Sequence, residues 1–148
     1  MSYEILPDLS DTVADWVCRG LRLCNVWRGQ NLTYGFAYNG KMVGGLIFHD
    51  LQRHREVWWT VYSTDKHWCN RTMLRQVFTM AFVTMDCKRI NILVNKSNRH
   101  SFDFVRRLGF KPEGLLRQYD ENGDDCYFLG MLREECPWLT NKKEKINE

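Results

Sequence analysis

The stretch that most constrains what this chain can fold into is 90–114, INILVNKSNRHSFDFVRRLGFKPEG. Ile90, Ile92 and Val94 alternate with Asn91 and Leu93, a β-branched run that reads as a buried strand. Asn95-Lys96-Ser97-Asn98 breaks that strand. Either Ser97 or Asn98 can cap a following helix, because its side-chain oxygen accepts from backbone N–H groups that lack an intrahelical partner. From Ser101 onward, Phe104, Val105 and Leu108 recur at helical spacing, Gly109 offers a left-handed stop, and Phe110 opens a new strand. Strand, polar turn, short helix, Gly-Phe and strand, in that order, require a sheet with a helix packed on it.

The rest of the chain supplies more strands than helices. Residues 2–6 read as a short strand ended by Pro7, and Asp8 to Asp11 offer caps for a helix through about Leu21. Leu9, Val13, Trp16, Val17 and Leu21 form its apolar stripe, and Gly20 weakens its end. Leu32, Tyr34, Phe36 and Tyr38 alternate up to Asn39-Gly40, a strong hairpin signal, so 41–49 is the returning strand. Residues 56–62 (EVWWTVY) are aromatic on both faces, which predicts a central strand. Residues 66–71 read as a loop, and Leu74, Val77, Phe78, Ala81, Phe82 and Met85 place one amphipathic helix over 73–85. Residues 110–119 and 126–133 complete a last hairpin around Asp120 to Asp124.

Length and composition set outer bounds. The 148 residues predict a single domain over 1–139, with a charged, frayed tail at 140–148. Aromatic residues make up 14% of the chain, too many for a disordered one. No 18-residue apolar run exists to cross a membrane, and the first residues lack the basic-then-apolar order of a secretory signal. The six cysteines contain no C-x-x-C pair, which argues against a zinc site or a disulfide framework and for a reduced, cytoplasmic protein. A net charge of +3 is compatible with an anionic small-molecule ligand and gives no case for nucleic acid.

Asn98-x-x-Ser101, then Leu108-Gly109-Phe110, then Glu113-Gly114 and Arg117, resembles the second half of a GNAT-superfamily N-acetyltransferase. Within it the chain is most similar to the ribosomal-protein N-terminal acetyltransferase-like subgroup. The resemblance covers about residues 30–135, and Gly44-Gly45 matches a pair common on the third strand of that family. It implies an α/β/α sandwich around a mixed, mostly antiparallel sheet of six or seven strands. It also implies acetyl-CoA as acyl donor, held where two parallel strands, here 56–62 and 88–94, splay apart. An amine on a protein N-terminus, a lysine or a small molecule would be the acceptor, and the resemblance leaves room for a homodimer.

Carried over residue by residue, Asn98 would fix the turn or meet the pantetheine arm, and Ser101 would lie near the thiol sulfur. Helix capping is the alternative for both. The family's diphosphate loop falls on Lys66-His67-Trp68-Cys69-Asn70-Arg71, where both its glycines are replaced, by Cys69 and Arg71. Glycine lets a backbone approach closely, so here Lys66 and Arg71 would have to supply charge, with Thr72 and Phe104 as further contacts. A solvated basic turn is the alternative for Arg71, and packing is the commoner role for Trp68. A backbone N–H near Val61 or Tyr62 would stabilise the oxyanion. Glu56, His49, Asp50, His54 and Tyr62 are the available bases, Glu56 lying on the right strand yet upstream of the oxyanion position. Val105 stands where many relatives have a tyrosine acid, so Ser101 or water would protonate the thiolate. The competing readings keep the fold but make the chain a CoA-binding module, or a phage-type protein that modifies a nucleic acid or other target, with weak or no acetyl transfer.

Overall fold

The computed structural model describes residues 3–7, 11–27, 32–65 and 70–139. Among these residues seven strands form one sheet: β1 (Tyr3–Pro7), β2 (Leu32–Tyr38), β3 (Lys41–Gln52), β4 (Glu56–Ser63), β5 (Arg89–Asn95), β6 (Lys111–Leu116) and β7 (Cys126–Leu132). Their order is β1-β2-β3-β4-β5-β7-β6, antiparallel throughout except for β4 and β5. The doubly aromatic segment is central, as its pattern requires. Its Val57 and Trp59 are buried on one face, while Trp58 stacks on Phe128 of β7 on the other, ring centres 5.5 Å apart.

Among the described residues, three α-helices cover the sheet. α1 (Thr12–Leu21) buries Val13, Ala14, Val17 and Cys18 against Ile47. The larger core lies under α2 (Arg71–Thr79) and α3 (Arg99–Leu108), where Phe78, Phe102, Val105 and Leu108 meet Phe48, Trp59, Ile92 and Leu129. Of the family-like glycine pair, Gly45 has a physical reason. A Cβ there would come 2.5 Å from the Val17 side chain, so only glycine lets α1 lie this close to β3.

Several boundaries differ from the sequence reading. Asp11 takes the N-cap position of α1 without a side-chain cap bond, and Leu9 lies outside the described residues. Gly20 lies in the last turn of α1, which runs to Leu21 as expected. The glycine makes room for the Tyr62 ring, and the stop is Arg22, left-handed at φ 61°. Asn39 and Gly40 both have positive φ, 52° and 79°, as the tight hairpin turn demands. The helix expected over 73–85 starts at Arg71 and loosens after Thr79 into a π-helical turn, Met80–Thr84, closed by Met85 N–H donating to Met80 O at 2.9 Å. That wider turn still keeps Phe78, Phe82 and Met85 in the core. The expected tail lies outside the described residues.

Candidate functional site

The parallel ladder between β4 and β5 is short. Register pairs run from Glu56↔Arg89 to Trp59↔Ile92 and stop. Beyond that point β4 keeps its pairing with β3 up to Ser63↔Gly44, and β5 keeps its pairing with β7 up to Asn95↔Cys126. Each strand therefore follows its outer neighbour, and the two diverge. Asn95 anchors the β5 side, its Nδ2 donating to Asp120 (2.7 Å) and Asp124 (3.0 Å) of the β6–β7 turn.

A cavity of about 800 Å³ opens in the splay, within the size range of small-molecule sites. Thr60, Val61 and Ser63 line it from β4, Leu93 to Asn95 from β5, and Asn98, Ser101, Phe104 and Val105 from the start of α3. Over the other end lie Cys24, Val26 and Trp27, together with Tyr119, Asp120 and Glu121. These two segments are tied to each other across the mouth. Cys24 N–H donates to Glu121 Oε1 at 2.7 Å, and Asn122 Nδ2 donates to Arg22 O at 3.3 Å.

Of the residues singled out from sequence, Val61, Asn98, Ser101 and Phe104 meet at this cavity. Asn98 is the cap of α3, its Oδ1 accepting from Ser101 N–H at 3.2 Å. Glu56 does not come to the cavity. It sits at the paired end of the ladder, where its carboxylate accepts from Asn91 Nδ2 at 3.1 Å. Tyr62 is directed away as well, because alternation along β4 sends it to the α1 face, where it packs on Trp16 with ring centres 5.2 Å apart. Glu113 of the family-like motif is paired with Arg89 at 2.6 Å.

The start of α2 is only partly described. Lys66, His67, Trp68 and Cys69 lie outside the described residues. Asn70 caps the helix by accepting from Met73 N–H at 2.9 Å. Arg71 and Thr72 are exposed in the first turn, and the Arg71 guanidinium lies 5.4 Å from the centre of the Trp138 ring.

His49 is one of the five bases available from sequence, where Glu56 is preferred to it. It lines the cavity, is only 7% exposed, and stacks on Trp27 at 4.0 Å. Its Nδ1 is 2.6 Å from Asp50 Oδ2 and its Nε2 is 2.8 Å from Thr60 Oγ1. Burial lowers the imidazole's proton affinity below the ordinary value, and the bond to Asp50 offsets that in part. Cys126 also lines the cavity, but burial and the nearby Asp120 and Asp124 push its thiol up to about 11, so it stays protonated at neutral pH and is a poor nucleophile. Among the described residues no group of three His, Cys, Asp or Glu side chains could hold a metal ion, and no helix is long and apolar enough to cross a membrane.

No protein-family model matches the chain. The uncharacterized N-acetyltransferase YoaA of Bacillus subtilis is 30% identical over 83 residues, 53% of this chain. The match covers 47% of YoaA, so the chain spans about half the length of that relative. Mutant forms of the spermidine/spermine N-acetyltransferase SpeG from Vibrio cholerae superpose with a TM-score of 0.63 at 13% identity, over 88% of this chain and 95% of theirs. An acetyltransferase of the GNAT family from Streptococcus pneumoniae superposes with a TM-score of 0.62 at 18% identity, over 88% of this chain and 99% of its own. At such identities a superposition speaks to fold, and the splayed parallel pair at the centre of this sheet agrees with it: the chain has the fold of the GNAT acetyltransferases.

Proposed function

We propose that this protein is an N-acetyltransferase that moves the acetyl group of acetyl-CoA to a primary amine by direct attack in a ternary complex. The observation that carries this reading is the end of β4–β5 pairing at Trp59↔Ile92 with the 800 Å³ cavity immediately beyond it. Past that point the backbone groups on the facing edges of β4 and β5 no longer serve each other. An extended arm rich in amides, such as pantetheine, is a chemical match for such an edge. A backbone N–H near Val61 or Tyr62 is the donor available to a tetrahedral oxyanion. As that intermediate collapses the C–S bond breaks, and the thiolate takes its proton from Ser101 or from water, because Val105 has none to give.

Three carboxylates, Asp50, Asp120 and Glu121, line the same cavity, which favours an acceptor that arrives as a cation. SpeG is named a spermidine/spermine N-acetyltransferase, and a small polyamine fits the same chemistry. The closer likeness to ribosomal-protein N-terminal acetyltransferases rests on Asn98-x-x-Ser101 and Gly109-Phe110-x-x-Glu113-Gly114 alone. The experiment is thiol release from acetyl-CoA in the presence of spermidine, lysine and a peptide with a free N-terminus. Release that depends on the amine supports the reading and ranks the acceptors. Binding of acetyl-CoA with no release for any amine would leave a CoA-binding module.

A further inference from the structure

Neighbouring residues of a strand point to opposite faces of the sheet, so His49 and Asp50 should not touch. They do, at 2.6 Å. Regular pairing of β3 with β4 runs to His49↔Trp58, then shifts before it resumes at Gln52↔Glu56. Within that bulge Asp50 has a left-handed backbone, φ 50°. The break in alternation brings the Asp50 carboxylate round to its neighbour's ring. Bulges commonly re-aim a side chain beside an active site, and here the re-aimed Asp50 lines the cavity together with His49 and Thr60.

The hydrogen-bond directions follow from the donors present. A carboxylate can only accept, so His49 Nδ1 carries the ring proton, and the lone pair on Nε2 accepts from the Thr60 hydroxyl 2.8 Å away. The Trp27 ring, stacked at 4.0 Å, holds the imidazole in this plane. Thr60 is the first residue of β4 past the last β4–β5 pair. Carboxylate, imidazole and hydroxyl thus form a line that ends where the splay begins. Asp50 is 66% exposed, so it is not sequestered as a structural ion pair would be.

Resting on the acyl-transfer reading, we propose that His49 is the general base for the acceptor amine, with the Thr60 hydroxyl relaying the proton and Asp50 positioning the ring. The ammonium gives one proton to Thr60 Oγ as the Thr60 hydroxyl proton moves to His49 Nε2. The freed nitrogen lone pair forms the C–N bond to the thioester carbon. The C–S bond then breaks, the second N–H proton ends on sulfur, and the imidazolium releases its proton to solvent. Burial keeps His49 neutral, and so able to accept, at neutral pH. Asp50 is its charged partner. Other titratable groups on the surrounding elements are Asp15, Cys18 and Arg19 of α1, Cys24 after it, Tyr34 and Tyr38 of β2, Lys41 of β3, Glu56 and Tyr62 of β4, and Tyr119, Asp120, Glu121, Asp124 and Asp125 between β6 and β7. None of them makes a hydrogen bond to the ring among the described residues.

The test follows thiol release from acetyl-CoA with spermidine between pH 5.5 and 9, alongside acetyl-CoA affinity by calorimetry. In His49→Gln, kcat/KM is expected to fall about 100-fold or more, the usual scale of acid–base catalysis. The acid limb of the pH profile disappears and acetyl-CoA affinity is unchanged. Asp50→Asn, at an exposed position, should lower turnover and move the acid limb to lower pH, a shift that a purely structural role would not produce. Thr60→Ser should retain activity that Thr60→Val loses, which decides the matter if His49→Gln does not fold. A wild-type chain that turns over while His49→Gln stays within threefold of it, acid limb included, overturns this inference and leaves acyl transfer standing. A wild-type chain that binds acetyl-CoA and releases no thiol with any amine overturns the acyl-transfer reading and the base with it.

Discussion

Asn98 and Ser101 stand three residues apart at one end of the cavity, and the geometry separates what each does. Asn98 accepts from the Ser101 N–H and so holds the first turn of α3. The Ser101 side chain itself lines the cavity. Asn98→Ala should therefore cost about 1 kcal/mol of stability, the usual value of a lost N-cap. Ser101→Ala should change stability by less than about 0.5 kcal/mol and lower kcat more than it weakens acetyl-CoA binding. Melting temperatures beside kcat per folded molecule check both. Equal losses of stability with kcat intact in Ser101→Ala would remove the hydroxyl from the chemistry. His49 makes a second prediction at this scale. Its folded proton affinity is depressed from 6.5 by burial, so the unfolded chain binds the proton more readily. Its contribution to stability is full above about pH 6.5 and is lost as pH falls from there through the lower folded value. Asp86 and Glu135 are held below 3.8 and 4.5 by their hydrogen bonds to His54 and Lys111, so their losses begin only in more acid solution. A melting temperature that declines first just below pH 6.5 in the wild type, and not in His49→Gln, is the expected result. Spacing made Asn98 and Ser101 legible in the sequence, because capping is a local matter. The His49–Asp50 pair was not legible, since period two places neighbours on opposite faces and only a bulge set by tertiary pairing reverses that.

At the scale of elements, strands were easier to read than what separates them. The β-branched and aromatic runs announced β4 and β5, while their parallel pairing came only as an implication of the family resemblance. The splay was legible only through a family resemblance, because it depends on each strand keeping its outer neighbour and on Asn95 reaching the β6–β7 turn, contacts far apart in sequence. The opening of α2 remains the sharpest departure from that resemblance, with Cys69 and Arg71 where glycines would let backbone N–H groups enclose a diphosphate. A cation in a first helical turn opposes the helix dipole unless an anion offsets it. Arg71 lies over Trp138 at 5.4 Å, an exposed contact worth about 0.5–1 kcal/mol. A charge-assisted bond to phosphate is worth about 1.5–3 kcal/mol, so a diphosphate would draw the side chain off the ring. Arg71→Ala should thus weaken CoA binding by roughly one to two orders of magnitude, since ~1.4 kcal/mol is tenfold. The same loss with dephospho-CoA, which keeps the diphosphate and lacks the 3′-phosphate, would put the contact on the diphosphate. Unchanged affinity in both Arg71→Ala and Lys66→Ala would sink the side-chain account of this loop.

Seen whole, the sheet consists of two blocks, β1 to β4 and β5 with β7 and β6, each paired along its length and joined directly by the short ladder from Glu56↔Arg89 to Trp59↔Ile92. The core beneath α2 and α3 draws side chains from both blocks and holds them together on one side of the splay. A molecule inserted between Thr60 to Ser63 and Leu93 to Asn95 would therefore join two parts of the structure that the sheet itself leaves apart. Its effect should be larger at that seam than elsewhere, because local opening of a strand end requires only its few unpaired residues to move. By mass action, acetyl-CoA at about a hundredfold excess over its dissociation constant should raise the unfolding free energy by roughly 2–3 kcal/mol. Hydrogen exchange measured with and without acetyl-CoA locates that gain. Slowed exchange is expected at residues 60–63, 93–95 and 98–101, with β1 and β6 at the sheet edges unchanged. A stabilisation spread evenly over the sheet, protection confined to either edge, or no shift at millimolar acetyl-CoA would each show that the seam is not where the acyl donor binds.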